Sequence, residues 1–202
     1  MADHNLSGST SPKGRRNEVV AAQKERFGGM KFGSAFFGWL TATGMAALLT
    51  ALASAIGVAI ATNTSPDRIT GQTLRTVGIV SVIVVAIILF IAYFAGGYVA
   101  GRMARFDGAK QGVAVWLWAV VIAIVLAILA AVAGSQFNIL SNLNAFPRIP
   151  VNEGDLTTTG IVTLIIAAVI ALIAAILGGK AGMNFHRRVD QATIDHQAGL
   201  DR

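Results

Sequence analysis

Cysteine is absent from the 202 residues, which excludes disulfides, thiolate zinc sites and cysteine nucleophiles together. Charge is scarce as well: Asp, Glu, Lys and Arg make up 13% of the chain, against about 25% in an ordinary soluble domain. All ten carboxylates fall outside the long apolar runs, so no general acid and base are placed within them. Histidine occurs only as His4, His186 and His196, all outside those runs. His186 and His196 lack the i, i+4 spacing of a helical zinc pair. No phosphate-binding loop is present, and "GGYVAG" (residues 96–101) ends an apolar run instead of following a strand. These absences point away from an enzyme and from any metal or cofactor.

What remains is apolar. Hydrophobic residues make up 54% of the chain, and four runs satisfy the criterion of about 20 predominantly apolar residues for a membrane span. They are Ser34 to Ala61, Val77 to Gly101, Val113 to Gly134 and Gly160 to Gly179, and none contains Asp, Glu, Lys, Arg or His. The small residues Ala51, Ala53 and Ala55 behind a basic segment also fit a cleavable signal peptide. The length of the apolar core and of the segment before it favours an uncleaved helix. The expectation is an all-α polytopic membrane protein. Residues 1–33 form a mostly disordered amino-terminal segment with a short surface helix over Asn17–Phe27, residues 34–179 the four-helix transmembrane domain, and residues 180–202 a basic tail. The long loop from Ser135 to Thr159 carries "FPRIPVNEGD", whose prolines favour extended backbone.

The net charge of +6 is read as topology and not as nucleic-acid binding, because the cations flank apolar runs. Lys13, Arg15, Arg16, Lys24, Arg26 and Lys31 precede the first run; Arg102, Arg105 and Lys110 lie between the second and third; Lys180, Arg187, Arg188 and Arg202 follow the fourth. The opposite side holds Arg68, Arg75 and Arg148. By the positive-inside rule both termini and the middle loop are expected on the cytoplasmic side of a cell membrane, with Trp39, Trp116 and Trp118 near that interface.

The chain also resembles itself. At an offset of 79 residues, Phe27, Gly29, Lys31, Gly33, Ala35 and Trp39 meet Phe106, Gly108, Lys110, Gly112, Ala114 and Trp118. At an offset of 82, "GIVSVI" (78–83) meets "GIVTLI" (160–165), and Gly96-Gly97 meets Gly178-Gly179. This pattern predicts a duplicated helical hairpin, its copies related by a pseudo-twofold axis along the membrane normal.

Glycine and alanine are placed as helix-packing residues. Gly97-xxx-Gly101 and Gly178-xxx-Gly182 are GxxxG pairs, and with Gly96 and Gly179 they mark expected close backbone approaches. Ridges at a spacing of four add Ala47, Ala51, Ala55 and Ala59 on the first run and Ala92, Gly96, Ala100 and Ala104 on the second. On the third and fourth they add Ala119, Ala123, Ala127 and Ala131, and Ala167, Ala171, Ala175 and Gly179. Arg102, Arg105, Arg187 and Arg188 stand where helices leave the bilayer, as candidate contacts to lipid headgroups.

With "GGYVAGRMARFDGAKQG" between the second and third runs, residues 30–185 resemble small, uncharacterised four-helix bacterial membrane proteins of the YrzE-like type. In these a glycine-rich second helix ends in an arginine-containing cytoplasmic turn. The resemblance implies a bacterial plasma membrane and no established activity. The long loop before the fourth run departs from compact members. The functional expectation is a structural or interaction component, as a homo-oligomer or as the subunit of a membrane protein partner. The alternative is a small channel or transporter for a neutral or hydrophobic solute along Thr43, Thr50 and Ser54. Proton- and sodium-coupled carriers usually keep an ionisable residue inside the membrane, and this chain has none there.

Overall fold

A computed structural model of the chain describes residues 29–65, 70–104, 106–133 and 158–200, together with Gly14, Ala21, Ala22 and Glu25. Those four isolated residues have helical backbone, and the rest of the expected Asn17–Phe27 helix lies outside the described residues, as do Arg68, Arg105 and Arg148. Side chains of 185–200 are likewise outside them.

The described residues form no strand and four long helices: α1 Phe32–Thr62, α2 Gly71–Ala104, α3 Gly108–Ala133 and α4 Thr158–Leu200. All four contain stretches long and apolar enough to cross a membrane. Each helix is longer than or shifted from its apolar run, and local chemistry explains where it starts and stops. α2 begins before Val77 because Thr70 and Thr73 cap it reciprocally. The Thr73 N–H donates to Thr70 Oγ1 at 3.2 Å, and the Thr70 N–H to Thr73 Oγ1 at 3.4 Å. α1 ends where Asn63 Nδ2 donates to the Ala59 carbonyl at 2.7 Å and Thr64 Oγ1 to that of Ile60 at 2.9 Å, satisfying its last acceptors. α4 runs through Gly178-Gly179 without a break and continues as helix to Leu200, so the basic tail is not a separate element at its start.

Packing is concentrated at one end. The start of α1, the end of α2, the start of α3 and the Ala171–Gly182 stretch of α4 contribute the buried residues, including Ala35, Ala42, Ala46, Ala92, Ala100, Ala104, Ala114, Val115, Ala174 and Ala175. α2 and α3 touch in the middle, α1 packs on both, α4 packs on both, and α1 and α4 make no substantial contact. Toward the other end no described residue of α1 beyond Ala46 or of α3 beyond Val115 is buried, and Leu48, Val58, Ile60, Val82, Ile128 and Ile165 are exposed. There α1 and α2 leave an open cleft of about 210 Å³ lined by Leu49, Leu52, Ala53, Ile56, Val84, Ile87, Ile88 and Ile91.

The distribution of glycine follows this difference in burial. At the packed end Gly38, Gly96, Gly97, Gly101, Gly108, Gly112, Gly178, Gly179 and Gly182 sit on neighbouring backbones, whereas Gly33 at the entry of α1 and Gly44, Gly57, Gly71 and Gly78 meet nothing within 4 Å. Helices filled with Ile, Val and Leu stand farther apart than helices meeting through glycine.

Two of the four small-residue ridges lie in the core. Those of α2 (Ala92, Gly96, Ala100, Ala104) and α4 (Ala171, Ala175, Gly179) are buried, with Ala167 half-buried. The ridges of α1 and α3 face outward instead: Ala51, Ala55, Ala59, Ala123 and Ala127 are exposed. α1 buries Ala35, Gly38, Ala42 and Ala46, a stripe rotated from the expected one. The physical reason is that α1 meets its neighbours through the face that carries Ala35, Gly38, Ala42 and Ala46, and α3 through the face that carries Gly108, Gln111, Gly112 and Val115, so alanines on other faces have no neighbour to meet.

Candidate functional site

The converging end brings together the residues with specific geometry, and it is built in two layers. The inner layer is glycine against backbone. A Cβ on Gly97 would strike the Ala175 backbone, and one on Gly101 that of Gly179. Reciprocally, a Cβ on Gly178 would strike Phe94 and Tyr98, and one on Gly182 would strike Tyr98 and stand 2.9 Å from the Arg102 nitrogen. These contacts exchange under a shift of 81 residues, taking Gly97 to Gly178, Gly101 to Gly182 and Phe94 to Ala175. The α2–α4 seam is therefore two-sided, each helix offering the other the same kind of surface, as at an isologous interface. Its shift is one residue less than the offset of 82 read from the sequence.

Adjacent glycines divide their work between neighbours, since consecutive helical positions point about 100° apart. Gly96 faces α1, where a Cβ would lie 2.8 Å from the Ala42 Cβ, while Gly97 faces α4. Gly178 faces α2, while Gly179 faces Gly108 and Gly112 of α3. On α1, Gly38 completes the set, with a Cβ there reaching 2.6 Å from the Gly96 carbonyl oxygen and 2.7 Å from a Val115 methyl. The reciprocity stops at the seam. Gly33 has open space where Gly112, its partner at the offset of 79, packs on Ala175 and Ile176.

The outer layer is polar and joins the entry of α1 to the α2–α3 turn. Asp107 caps α3, its carbonyl accepting from the Gln111 N–H at 3.1 Å. Its carboxylate accepts from the Gly29 N–H at 3.1 Å and lies 3.6 Å from the Lys110 ammonium. Gln111 is fully buried; its Nε2 donates to the Gly29 carbonyl at 3.0 Å, and its Oε1 lies 3.1 Å from Ser34 Oγ, whose one hydrogen it shares with the Lys31 carbonyl at 2.9 Å. Trp118 adds a bond from Nε1 to the Phe32 carbonyl at 3.1 Å and stacks edge-on against Phe36 with centroids 5.3 Å apart.

Trp116 turns the other way, its Nε1 donating to the Ala168 carbonyl of α4 at 3.0 Å. Trp116→Phe keeps the aromatic packing but removes that donor. It is expected to lower stability by about 1 kcal/mol, read as a shift in the thermal unfolding midpoint of the detergent-solubilised protein.

Of the arginines singled out, Arg102 is half-buried in the last turn of α2, where a cation complements the helix dipole. Arg187 and Arg188 lie on the continued α4 backbone with side chains outside the described residues, and Arg105 lies outside them altogether. The structure does not gather these four into one described cluster. Ser34, Gly38, Asp107 and Gln111 were not singled out as contact residues by sequence reasoning, and Gly29 and Gly112 entered only as matched positions of the internal repeat. For Asp107 and Gln111 one signal existed: they are the positions where "FDGAKQG" departs from "FGGMKFG" in polarity. Among the described residues no group of three or more His, Cys, Asp or Glu is arranged to hold a metal.

The chain matches no protein-family model, no curated protein and no solved structure.

Proposed function

We propose that the chain is an integral membrane interaction component, a duplicated helical hairpin with both termini cytoplasmic, without catalytic activity and acting as a homo-oligomer or partner subunit in a bacterial plasma membrane. The observation that carries this reading is the uncovered apolar surface of the helices. One end is closed inside by glycine contacts and polar bonds, yet large apolar side chains are exposed along the whole bundle, from Phe37, Leu40 and Met103 to Leu48, Leu52, Val58 and Val82. Lipid and other helices are the surroundings that such faces fit. The reciprocal α2–α4 seam supports duplication, and the cations on the turn and tails support the orientation.

The mild polar side chains favour this reading over a solute path. Thr41 Oγ1 donates to the Phe37 carbonyl at 2.9 Å and Thr43 Oγ1 to that of Trp39 at 3.0 Å, so both hydroxyls are used by their own helix. Ser54 is exposed on the outside of α1.

Two measurements test the proposal. Light scattering of protein in mild detergent is expected to give a mass that is a multiple of the chain's. A monomer that passes a neutral solute in vesicles, with flux lost on enlarging Thr43 or Ser54, overturns it in favour of a transporter. Reporter fusions are expected to read cytoplasmic after Arg105 and external after Arg68 and Arg148; the reverse pattern refutes the orientation.

A further inference from the structure

We propose that residues 29–34 form a releasable strap that fastens the start of α1 to α3, and that Asp107 is the positioning residue that sets it.

α1 is held in two ways that differ in kind. Against α2 the hold is close apolar and backbone contact, Gly38 and Ala42 on Gly96 and Ala100. Against α3 the apolar contacts of Ala35, Phe36 and Gly38 with Ala114, Val115 and Trp118 are joined at the entry of α1 by hydrogen bonds: Gly29 to Asp107, Gln111 to Gly29, Ser34 to Gln111 and Trp118 to Phe32. Hydrogen bonds at a helix end beside exposed Lys31 and Lys110 can be exchanged for bonds to water or to a competing peptide at a modest cost for each. The glycine contacts have no such substitute. Losing the polar hold therefore frees residues 29–34, while Gly38 and Ala42 on α2 and Ala35 and Gly38 on Val115 retain the rest of α1.

Backbone conformation shows that the strap is built in. Gly29 has φ +103°, which L side chains rarely adopt, and its N–H and C=O are both engaged by α3 side chains. Asp107 has φ +56°, where glycine is at no disadvantage and a residue with a Cβ is strained. Its counterpart at the offset of 79 is Gly28, and the counterpart of Gln111 is Phe32. Both polar contact residues thus replace the first copy's residue type, and one does so against its backbone preference. A strained residue of this kind persists when its side chain makes a bond that glycine cannot, here to the Gly29 N–H.

Release would uncover the Gly29 backbone and the Asp107 and Gln111 side chains that hold it. The inference rests on the interaction reading only for what then meets those groups, namely a polar segment of a second copy of this chain.

The test uses the full chain in lipid nanodiscs and hydrogen–deuterium exchange read by mass spectrometry. Asp107→Gly removes the carboxylate and relieves the backbone; Asp107→Asn keeps an acceptor oxygen. Asp107→Gly is expected to speed exchange over residues 29–37 about tenfold, the factor equivalent to one hydrogen bond to a charged group. Asp107→Asn is expected to stay close to the parent. The α2–α4 seam, residues 92–104 and 171–182, is expected to be unchanged in both. Unaltered exchange over 29–37 in Asp107→Gly overturns the proposal, and so does an equal acceleration across all four helices. No partner is needed, so failure here leaves the interaction reading standing, and a monomer by light scattering leaves the strap standing.

Discussion

Gly101→Ala is expected to destabilise the protein by about 3 kcal/mol, whereas Gly78→Ala, the same substitution on the same helix, is expected to stabilise it by about 0.5 kcal/mol. At Gly101 the new methyl would lie 2.9 Å from both the carbonyl carbon and the Cα of Gly179. These are backbone atoms that no rotamer change can move aside. α2 and α4 must separate, and the same shift loosens Gly97 on Ala175 and Gly182 on Tyr98, because the contacts share one rigid helix pair. At Gly78 nothing lies within 4 Å, so only the helix-propensity gain of alanine remains. Since the seam is reciprocal, Gly182→Ala is expected to cost about as much as Gly101→Ala, and the double variant less than the sum. Unfolding in mixed micelles, titrated with a denaturing detergent and followed by tryptophan fluorescence, measures all four. Equal effects at Gly78 and Gly101 would remove the seam as the basis of the fold.

The same contrast shows how far the sequence could be read. The four helices were legible because uninterrupted apolar runs at this length leave little else for the backbone to do. Gly97, Gly101, Gly178 and Gly182 were legible as packing residues because GxxxG spacing places each pair on one face, and Gly96 and Gly179 stand beside them. Their division among three neighbours was not. Which of two adjacent glycines meets which helix depends on rotations set by the whole bundle. For the same reason the alanine ridges of α1 and α3 misled: spacing defines a face, but only a neighbour makes it a buried one. The strap was the least legible. Asp107 and Gln111 look like ordinary turn residues until the backbone of Gly29, 78 positions away from Asp107, is placed against them. That is a long-range contact to backbone atoms, which carry no sequence signature.

Gln111→Glu is expected to cost about 3 kcal/mol at neutral pH and to recover as the pH falls, although the side chain keeps its size. In the parent, Gln111 donates to the Gly29 carbonyl and accepts from Ser34 while fully buried. An ionised carboxyl there keeps the Ser34 hydroxyl as a neutral donor but turns an acceptor toward the Gly29 carbonyl, with no cation to compensate. The Lys110 ammonium, 61% exposed and 3.6 Å from Asp107, is engaged elsewhere. A buried charge without a partner is costly, so the new carboxyl is pushed above the ordinary glutamate range near 4.3. The folded state then binds more protons than the unfolded state between those two values, and stability falls as pH rises through that window. Below it the protonated carboxyl donates to the Gly29 carbonyl, and the deficit closes. Gln111→Leu supplies the reference, because it removes the same bonds with no titrating group. Its loss of about 1–3 kcal/mol is expected to be the same at pH 5 and pH 8. Measuring both variants against the parent across that range separates the hydrogen bonds of the strap from the cost of burying charge. A Gln111→Glu deficit that does not vary with pH would mean that this position opens to water.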